Sequence, residues 1–241
     1  MIGIFDTGLG GLGIFKEIKK LLPKENIFYY ADNKNAPYGP RTSTEIKRLT
    51  LKSLKYLEKQ GCKIIVIACN TATVSGVEYY RQHTHIPVIG TVPVIKTAAK
   101  ETKNKKIALL ATKKTVTSSY TDNLIKKFAT GIKVKKIACP GWVEAIENNK
   151  VTEQLLKKYL QKINDADVIV LGCTHYPLIK NKIKKLVKAK TKILDSNAAV
   201  ARHIKRIMEL EKLFQPQKKP KYIFQGSDPN QNLMTKAKKY L

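Results

Sequence analysis

The sequence predicts an α/β protein built on mainly parallel sheets flanked by helices, and three observations predict it. Short apolar runs alternate with helix-length amphipathic segments from one end of the chain to the other. Most of these runs are unbroken Ile, Val and Leu, without the alternation of a half-exposed strand, which is the pattern of strands buried on both faces. The run Ile64–Ala68 leads into Cys69-Asn70-Thr71-Ala72 as Val168–Gly172 leads into Cys173-Thr174-His175-Tyr176-Pro177, an internal echo with one copy per half.

In order along the chain, Ile2–Phe5 reads as a strand and is followed by Gly8-Leu9-Gly10-Gly11-Leu12-Gly13 and a helical pattern through Leu22. Ile27–Ala31 is the next strand, closed by Asp32. The glycines and Asp32 together match a dinucleotide-binding fingerprint and raise a nicotinamide-dependent oxidoreductase as an alternative. Asp6-Thr7 intervenes before the first glycine, however, and a carboxylate there repels a pyrophosphate while suiting an ammonium group or an acid/base partner. Ile64–Ala68 and Val88–Gly90 complete the first half. The lysine- and alanine-rich stretch from Val94 to Lys106 is the best place for a domain boundary. Ile107–Ala111, Lys133–Ala138, Val168–Gly172 and Lys192–Leu194 supply strands to the second half. Between the last two, Ile179, Ile183, Leu186 and Val187 fall on one helical face, with lysines on the solvated side. Gln215–Pro220 is a polar linker punctuated by prolines, and Tyr222–Gln225 is the final strand.

Composition narrows the function classes. A chain of 241 residues with 43% hydrophobic content buries a real core. No run approaches the ~20 apolar residues of a membrane span, and the first residues enter a strand rather than a signal peptide, so a cytoplasmic location is expected. Four cysteines without an export signal point to reduced thiols. No metal site is expected: there is no CxxC pair, and Cys173-x-His175 has no carboxylate or second histidine near it in sequence. The net charge of +28 is almost all lysine. Arginine, the better fork for phosphates and bases, is scarce, so nucleic-acid binding beyond non-specific charge attraction is not expected.

The chemistry concentrates on the two cysteine turns. In open α/β sheets ligands bind beyond the carboxyl ends of strands, where Cys69 and Cys173 fall. A helix starting after each turn would present free N–H groups and favour the thiolate. Asn70, Thr71, Thr174 and His175 beside the thiols are residues that hydrogen-bond carboxylates. Cys62 and Cys139 lack such surroundings and read as packing residues.

With these segments in view, the chain resembles the cofactor-independent glutamate racemases of the aspartate/glutamate racemase superfamily. The resemblance rests on Phe5 to Leu12, Pro37-Tyr38-Gly39, Ala68 to Ala72 and Gly172 to Pro177. Weaker echoes lie at Ala111 to Thr117, Cys139 to Glu147 and Gly226-Ser227-Asp228-Pro229. It implies two similar α/β domains with the active site in the cleft between them, the first comprising residues 1–95 and 208–241 and the second 96–207. It implies racemisation of glutamate for peptidoglycan synthesis without a cofactor, with Cys69 and Cys173 as the acid/base pair. Asp6 would assist Cys69, and His175 with Glu147 would assist Cys173. Substrate contacts would come from Asp6, Thr7, Tyr38, Gly39, Asn70, Thr71, Thr174 and His175. A homodimer is expected on the same ground, and racemisation of aspartate or another amino acid is the nearest alternative. The chain departs from the family pattern in Thr7, where serine is more common, and in Glu144, where proline is usual.

Overall fold

A computed structural model describes residues 1–230 and 232–241. The chain divides into two compact units, Met1–Thr91 with Asn197–Leu241, and Val92–Ser196. With elements numbered along the chain, the first unit opens with β1 (Ile2–Asp6), α1 (Leu12–Leu21), β2 (Ile27–Ala31), α2 (Ser43–Lys59), β3 (Ile64–Ile67), α3 (Asn70–Gln82) and β4 (Val88–Gly90). It closes with α10 (Asn197–Leu210), β9 (Tyr222–Gly226) and α11 (Leu233–Ala237). Among the described residues its sheet has the order β4-β3-β1-β2-β9, all parallel. Every residue of β1 and β3 is buried, as their unbroken apolar runs require.

Helices cover both faces of this sheet. The start of α2 is fixed by a capping box, in which the Glu45 N–H donates to the Thr42 hydroxyl and the Thr42 N–H to the Glu45 carboxylate. Its apolar stripe of Ile46, Leu49, Leu54 and Leu57 then packs with Phe5, Phe28 and Ile65. Helices α1 and α10 pack on each other, burying Leu12, Ile14, Phe15 and Ile18 from one and Val200, Ala201, Ile204 and Met208 from the other. They approach so closely at Gly13 that a Cβ there would lie 2.3 Å from Asn197 Nδ2. This packing moves the return to the first unit to Asn197, earlier than the residue 208 expected from the sequence. The Gln215–Pro220 stretch is consequently internal to the unit. Gln215 N–H donates to the buried Glu25 carboxylate at 2.7 Å, which also pairs with Lys63 at 2.8 Å.

The second unit contains α4 (Ile95–Glu101), β5 (Lys106–Ala111), α5 (Lys113–Val116), α6 (Ser119–Phe128), β6 (Lys133–Ala138), α7 (Trp142–Glu147), α8 (Glu153–Leu160), β7 (Val168–Leu171), α9 (Lys180–Leu186) and β8 (Lys192–Leu194). Just past the boundary, in the stretch where the sequence placed it, α4 buries Ile95 and Ala98 in an apolar cluster with Ile107, Leu109, Val168 and Val170. The opposite face holds a second cluster around Trp142, Tyr159 and Tyr176. The sheet order is β6-β5-β7-β8, again parallel, with the exposed lysines Lys133, Lys135 and Lys136 on the edge strand β6.

Read from the other edge, β8-β7-β5-β6 repeats β4-β3-β1-β2. The internal echo seen in the sequence is thus an echo of topology. In each unit the strand order reverses beside the central strand, between β1 and β3 and between β5 and β7. The carboxyl ends of those strand pairs are where a ligand crevice is expected.

Candidate active site

In the first unit, β1 delivers Asp6 and Thr7 and β3 delivers Cys69, Asn70 and Thr71 to the same strand end. All five are buried. Ala68 N–H donates to Phe5 O at 2.7 Å, continuing the ladder to the last residue before the thiol. Cys69 is the N-cap of α3, so the helix begins immediately after it, as expected. Asp6 Oδ1 accepts the Gly8 N–H at 2.8 Å, which folds the glycine-rich turn back onto the carboxylate. The Tyr29 hydroxyl donates to Gly8 O at 2.7 Å, tying the same turn to β2. The glycines therefore serve this turn and the α1–α10 contact. Asp32, the acid of the supposed fingerprint, is buried and engaged by the Tyr38 hydroxyl at 2.6 Å and by Asn35 Nδ2 at 2.9 Å.

That contact redefines what the Pro37-Tyr38-Gly39 turn offers. The single hydroxyl proton of Tyr38 goes to Asp32, and burial first, then the Asp32 charge, holds the phenol well above its usual range. What the turn keeps available is backbone: the N–H groups of Tyr38 and Gly39 donate to no other group among the described residues. A Cβ placed on Gly39 would meet nothing within 4 Å, so its surroundings are open. Asn70 Nδ2 donates to Thr91 O at 3.3 Å, which fixes the amide and leaves Oδ1 buried without a partner. An acceptor orphaned in this way is suited to a donor on a ligand, such as an ammonium group.

In the second unit, Cys173, Thr174 and His175 follow β7 and are buried. His175 Nδ1 lies 4.0 Å from Cys173 Sγ, and its Nε2 lies 2.6 Å from Glu147 Oε1. An ionised carboxylate only accepts, so Nε2 carries a proton. In the neutral ring Nδ1 is then the acceptor that faces the thiol. Glu147, on the last turn of α7, is held there by its helix: Trp142 is fully buried and packs edge-on against Tyr176 at 4.9 Å between ring centroids. Its indole N–H donates to Leu155 O at 3.3 Å. Truncating such a side chain costs about 3–5 kcal/mol and would release the helix that carries Glu147.

One expectation fails here. No α-helix starts at Cys173; the chain makes a turn, then a single 3-10 turn over Tyr176–Ile179, before α9. Pro177 supplies no N–H, so this end presents fewer free amide donors than α3 does. The lysine-bearing helix is also shorter than its periodicity suggested. Of its cations, Lys180 pairs with Asp195 at 2.9 Å and Lys182 donates to Val151 O at 3.1 Å.

Superposing the two ladders by their hydrogen bonds adds residues the sequence reading had left out. Gly172 N–H donates to Leu110 O at 2.7 Å, the counterpart of Ala68 to Phe5, and Cys139 N–H to Ala111 O, the counterpart of Asp32 to Asp6. Thr112 thus occupies in the second unit the place of Thr7 in the first, and Ala111 that of Asp6. The Thr112 hydroxyl lies 3.1 Å from that of Thr115 and accepts the Thr115 N–H at 3.3 Å. The signal is the Thr-x-x-Thr step within the weaker echo at Ala111 to Thr117, which is also an ordinary helix cap and so marks no site by itself. Cys62 and Cys139 sit in the apolar clusters. Desolvation pushes the Cys62 thiol up to about 12 and raises that of Cys139 as well, which keeps both protonated.

Elsewhere, a basic groove of about 770 Å³ runs along α2, lined by Lys47, Arg48, Lys52, Lys55, Lys59 and Tyr79 among others. None of its lining residues belongs to the motifs. Among the described residues, no group of three or more His, Cys, Asp or Glu is placed to hold a metal ion, and no helix is long and apolar enough to cross a membrane.

Two doubly wound α/β units, each with a cysteine-led polar turn at its switch point, define a duplicated α/β protein with one thiol turn per unit. The chain belongs to the Asp/Glu/hydantoin racemase family, whose model matches residues 7–204. It is 40% identical over 222 residues to a glutamate racemase of Herpetosiphon aurantiacus, covering 90% of this chain and 87% of the relative. A crystal structure of a glutamate racemase isoform from Bacillus anthracis is similar with a TM-score of 0.88 at 31% identity, covering 100% of this chain and 93% of that one. A glutamate racemase of Francisella tularensis, crystallised in complex with D-glutamate, gives a TM-score of 0.87 at 30% identity, covering 100% and 92%.

Proposed function

We propose that this enzyme interconverts L- and D-glutamate by two-base proton transfer at the α-carbon, supplying D-glutamate for peptidoglycan synthesis. The observation that carries the reading is the matched placement of Cys69 and Cys173 at equivalent strand ends of two sheets with the same strand order. One thiolate takes the α-proton while the other thiol delivers a proton to the opposite face; in the reverse direction the roles exchange. The enantiomers have equal free energy in an achiral solvent, so a near-symmetrical pair serves both directions. The reading requires that one substrate molecule meet both thiols.

Around that pair, His175 with Glu147 would hold and relay charge for Cys173, and buried Asp6 would do so for Cys69. Asn70 Oδ1 would accept from the substrate ammonium group. Thr7, Thr71, Thr174 and the backbone N–H groups of Tyr38 and Gly39 would bind carboxylates, with Thr112 and Thr115 adding hydroxyls from the start of α5. The α-proton is weakly acidic, and such preorganised donors stabilise the developing carbanion. Four cysteines outside any disulfide fit a reducing cytoplasm. The family resemblance leads us to expect a homodimer, which light scattering would measure, and we read the lysine-rich surface as non-specific attraction for polyanions.

The deciding experiment incubates the protein with L-glutamate in D2O without added cofactor. Loss of optical signal together with deuteration at the α-carbon is the expected result. Unchanged rotation with folded protein overturns the proposal, and activity on aspartate instead would redirect it to that substrate.

A further inference from the structure

The segment Gly226-Ser227-Asp228 resembles the family pattern, yet it lies on neither thiol turn and carries no chemistry of its own. In the fold it meets the loop that follows β2. Strands β2 and β9 pair in parallel up to Ala31 and Gly226, and Ser227 N–H extends the ladder to Ala31 O at 2.8 Å. Beyond that point the contacts pass to side chains. Lys34 N–H donates to Ser227 Oγ at 3.0 Å, Asp228 N–H donates to Asn33 Oδ1 at 3.0 Å, and Ser227 Oγ lies 3.4 Å from the same oxygen. A Cβ on Gly226 would stand 2.9 Å from Asn33 Oδ1 and 3.0 Å from its Nδ2, so only glycine lets the amide enter this position unshifted.

The same loop is gripped from its other side. Asp32 takes the Asn35 amide and the Tyr38 hydroxyl, Asp32 N–H donates to Asp6 O at 2.9 Å, and Arg41 Nε donates to Asn35 O at 2.8 Å. Residues 32 to 35 and 38 are thus each fixed by a named bond, and the stretch so held ends in Tyr38 and Gly39, whose backbone N–H groups are the uncommitted donors.

We propose that Gly226, Ser227 and Asn33 are positioning residues: they form a clamp between the last strand and the loop after β2 that presets the Tyr38-Gly39 turn for its ligand. The clamp rests on the reading of that turn as part of the glutamate site. A loop of eight residues left free would lose ordering entropy on each binding event, at ~1–2 kcal/mol for every residue newly fixed. Presetting it lowers that cost and acts on substrate binding, leaving the proton transfers to other groups.

The test uses the full chain with Gly226→Ala, Ser227→Ala, Asn33→Ala and the conservative Ser227→Thr, read by amide hydrogen exchange of residues 33–41 and by steady-state kinetics in both directions. We expect Gly226→Ala and Asn33→Ala to speed exchange in this segment about tenfold, with exchange in β1 and β3 unchanged. KM should rise about five- to tenfold for both enantiomers with kcat within about twofold, and Ser227→Thr should restore what Ser227→Ala loses. Unchanged exchange in the segment overturns the clamp. Faster exchange with unchanged KM overturns its role in positioning the turn, and a fall in kcat alone does so too. Wild-type protein inactive on glutamate would remove the substrate reading, with the exchange measurement still deciding the clamp.

Discussion

The turn after β3 and the turn after β7 occupy the same place in two sheets of the same order, and they are furnished with different parts. Cys69 caps a helix whose first amides lie directly beyond it, and a buried aspartate stands on the neighbouring strand. Cys173 has no such helix, and the strand position equivalent to Asp6 is Ala111. Its support comes from a histidine two residues on, backed by a carboxylate from α7. Equivalent backbone positions therefore do not dictate equivalent chemistry. One side offers a buried carboxylate on the neighbouring strand and a helix N-terminus, the other a carboxylate hydrogen-bonded to an imidazole that faces the thiol.

The strongest way to break this comparison is to remove either thiol. Cys69→Ala and Cys173→Ala are each expected to lower kcat by about 10²–10⁴-fold, the range of a lost general acid or base, measured by circular dichroism of either enantiomer. Full activity in one of them would leave only the other cysteine as a base. A subtler pair sharpens it. Because the equilibrium constant of racemisation is one, any variant must lose kcat/KM equally in both directions, so the size of that loss does not tell the two sides apart and isotope effects on it do. Asp6→Asn and Glu147→Gln are each expected to lower kcat/KM about tenfold. The α-deuterium isotope effect should rise for one enantiomer in the first variant and for the other in the second. The same enantiomer responding in both would show that the two supports serve one thiol.

The smallest expected effect concerns how the second unit holds its central strands. Asp167, just before β7, accepts from Thr102 Oγ1 at 2.5 Å and from the N–H groups of Lys103 and Asn104. Desolvation works to raise its pKa, but these donors outweigh it and the net shift is downward. A depressed carboxylate contributes stability above its unfolded pKa of about 3.9 and loses it as pH falls through the folded value. Asp167→Asn should cost about 1 kcal/mol at neutral pH, discounted for solvent exposure, and the difference from wild type should shrink below about pH 4. Urea melts at the two pH values measure it; an undiminished difference in acid would assign the loss to packing.

Much of this was legible before any coordinates. Each strand expected from the sequence lies within one residue of a strand in the structure, because strands buried on both faces must be apolar throughout and have sharp polar ends. The thiol turns were legible for the same reason, as the first polar residues after such runs. The helix after Cys173 was misjudged because a strand followed by a polar cluster and an apolar periodicity reads alike whether the next turn is α or 3-10. The boundary stretch from Val94 does not declare the helix α4 within it, since lysine and alanine form good helices without showing whether Ile95 and Ala98 have a core to enter.

The sequence by itself determined the strand positions, the glycine-rich and cysteine-led turns and the family, since these depend on hydropathy period and local chemistry. Tertiary structure alone decided which groups engage one another. The Glu147–His175 pair, the Asp32–Tyr38 bond that commits the tyrosine hydroxyl and the close approach of Gly226 to Asn33 all join residues from different elements. Such contacts depend on strand order and register, which hydrophobic burial settles for the chain as a whole and no local pattern records.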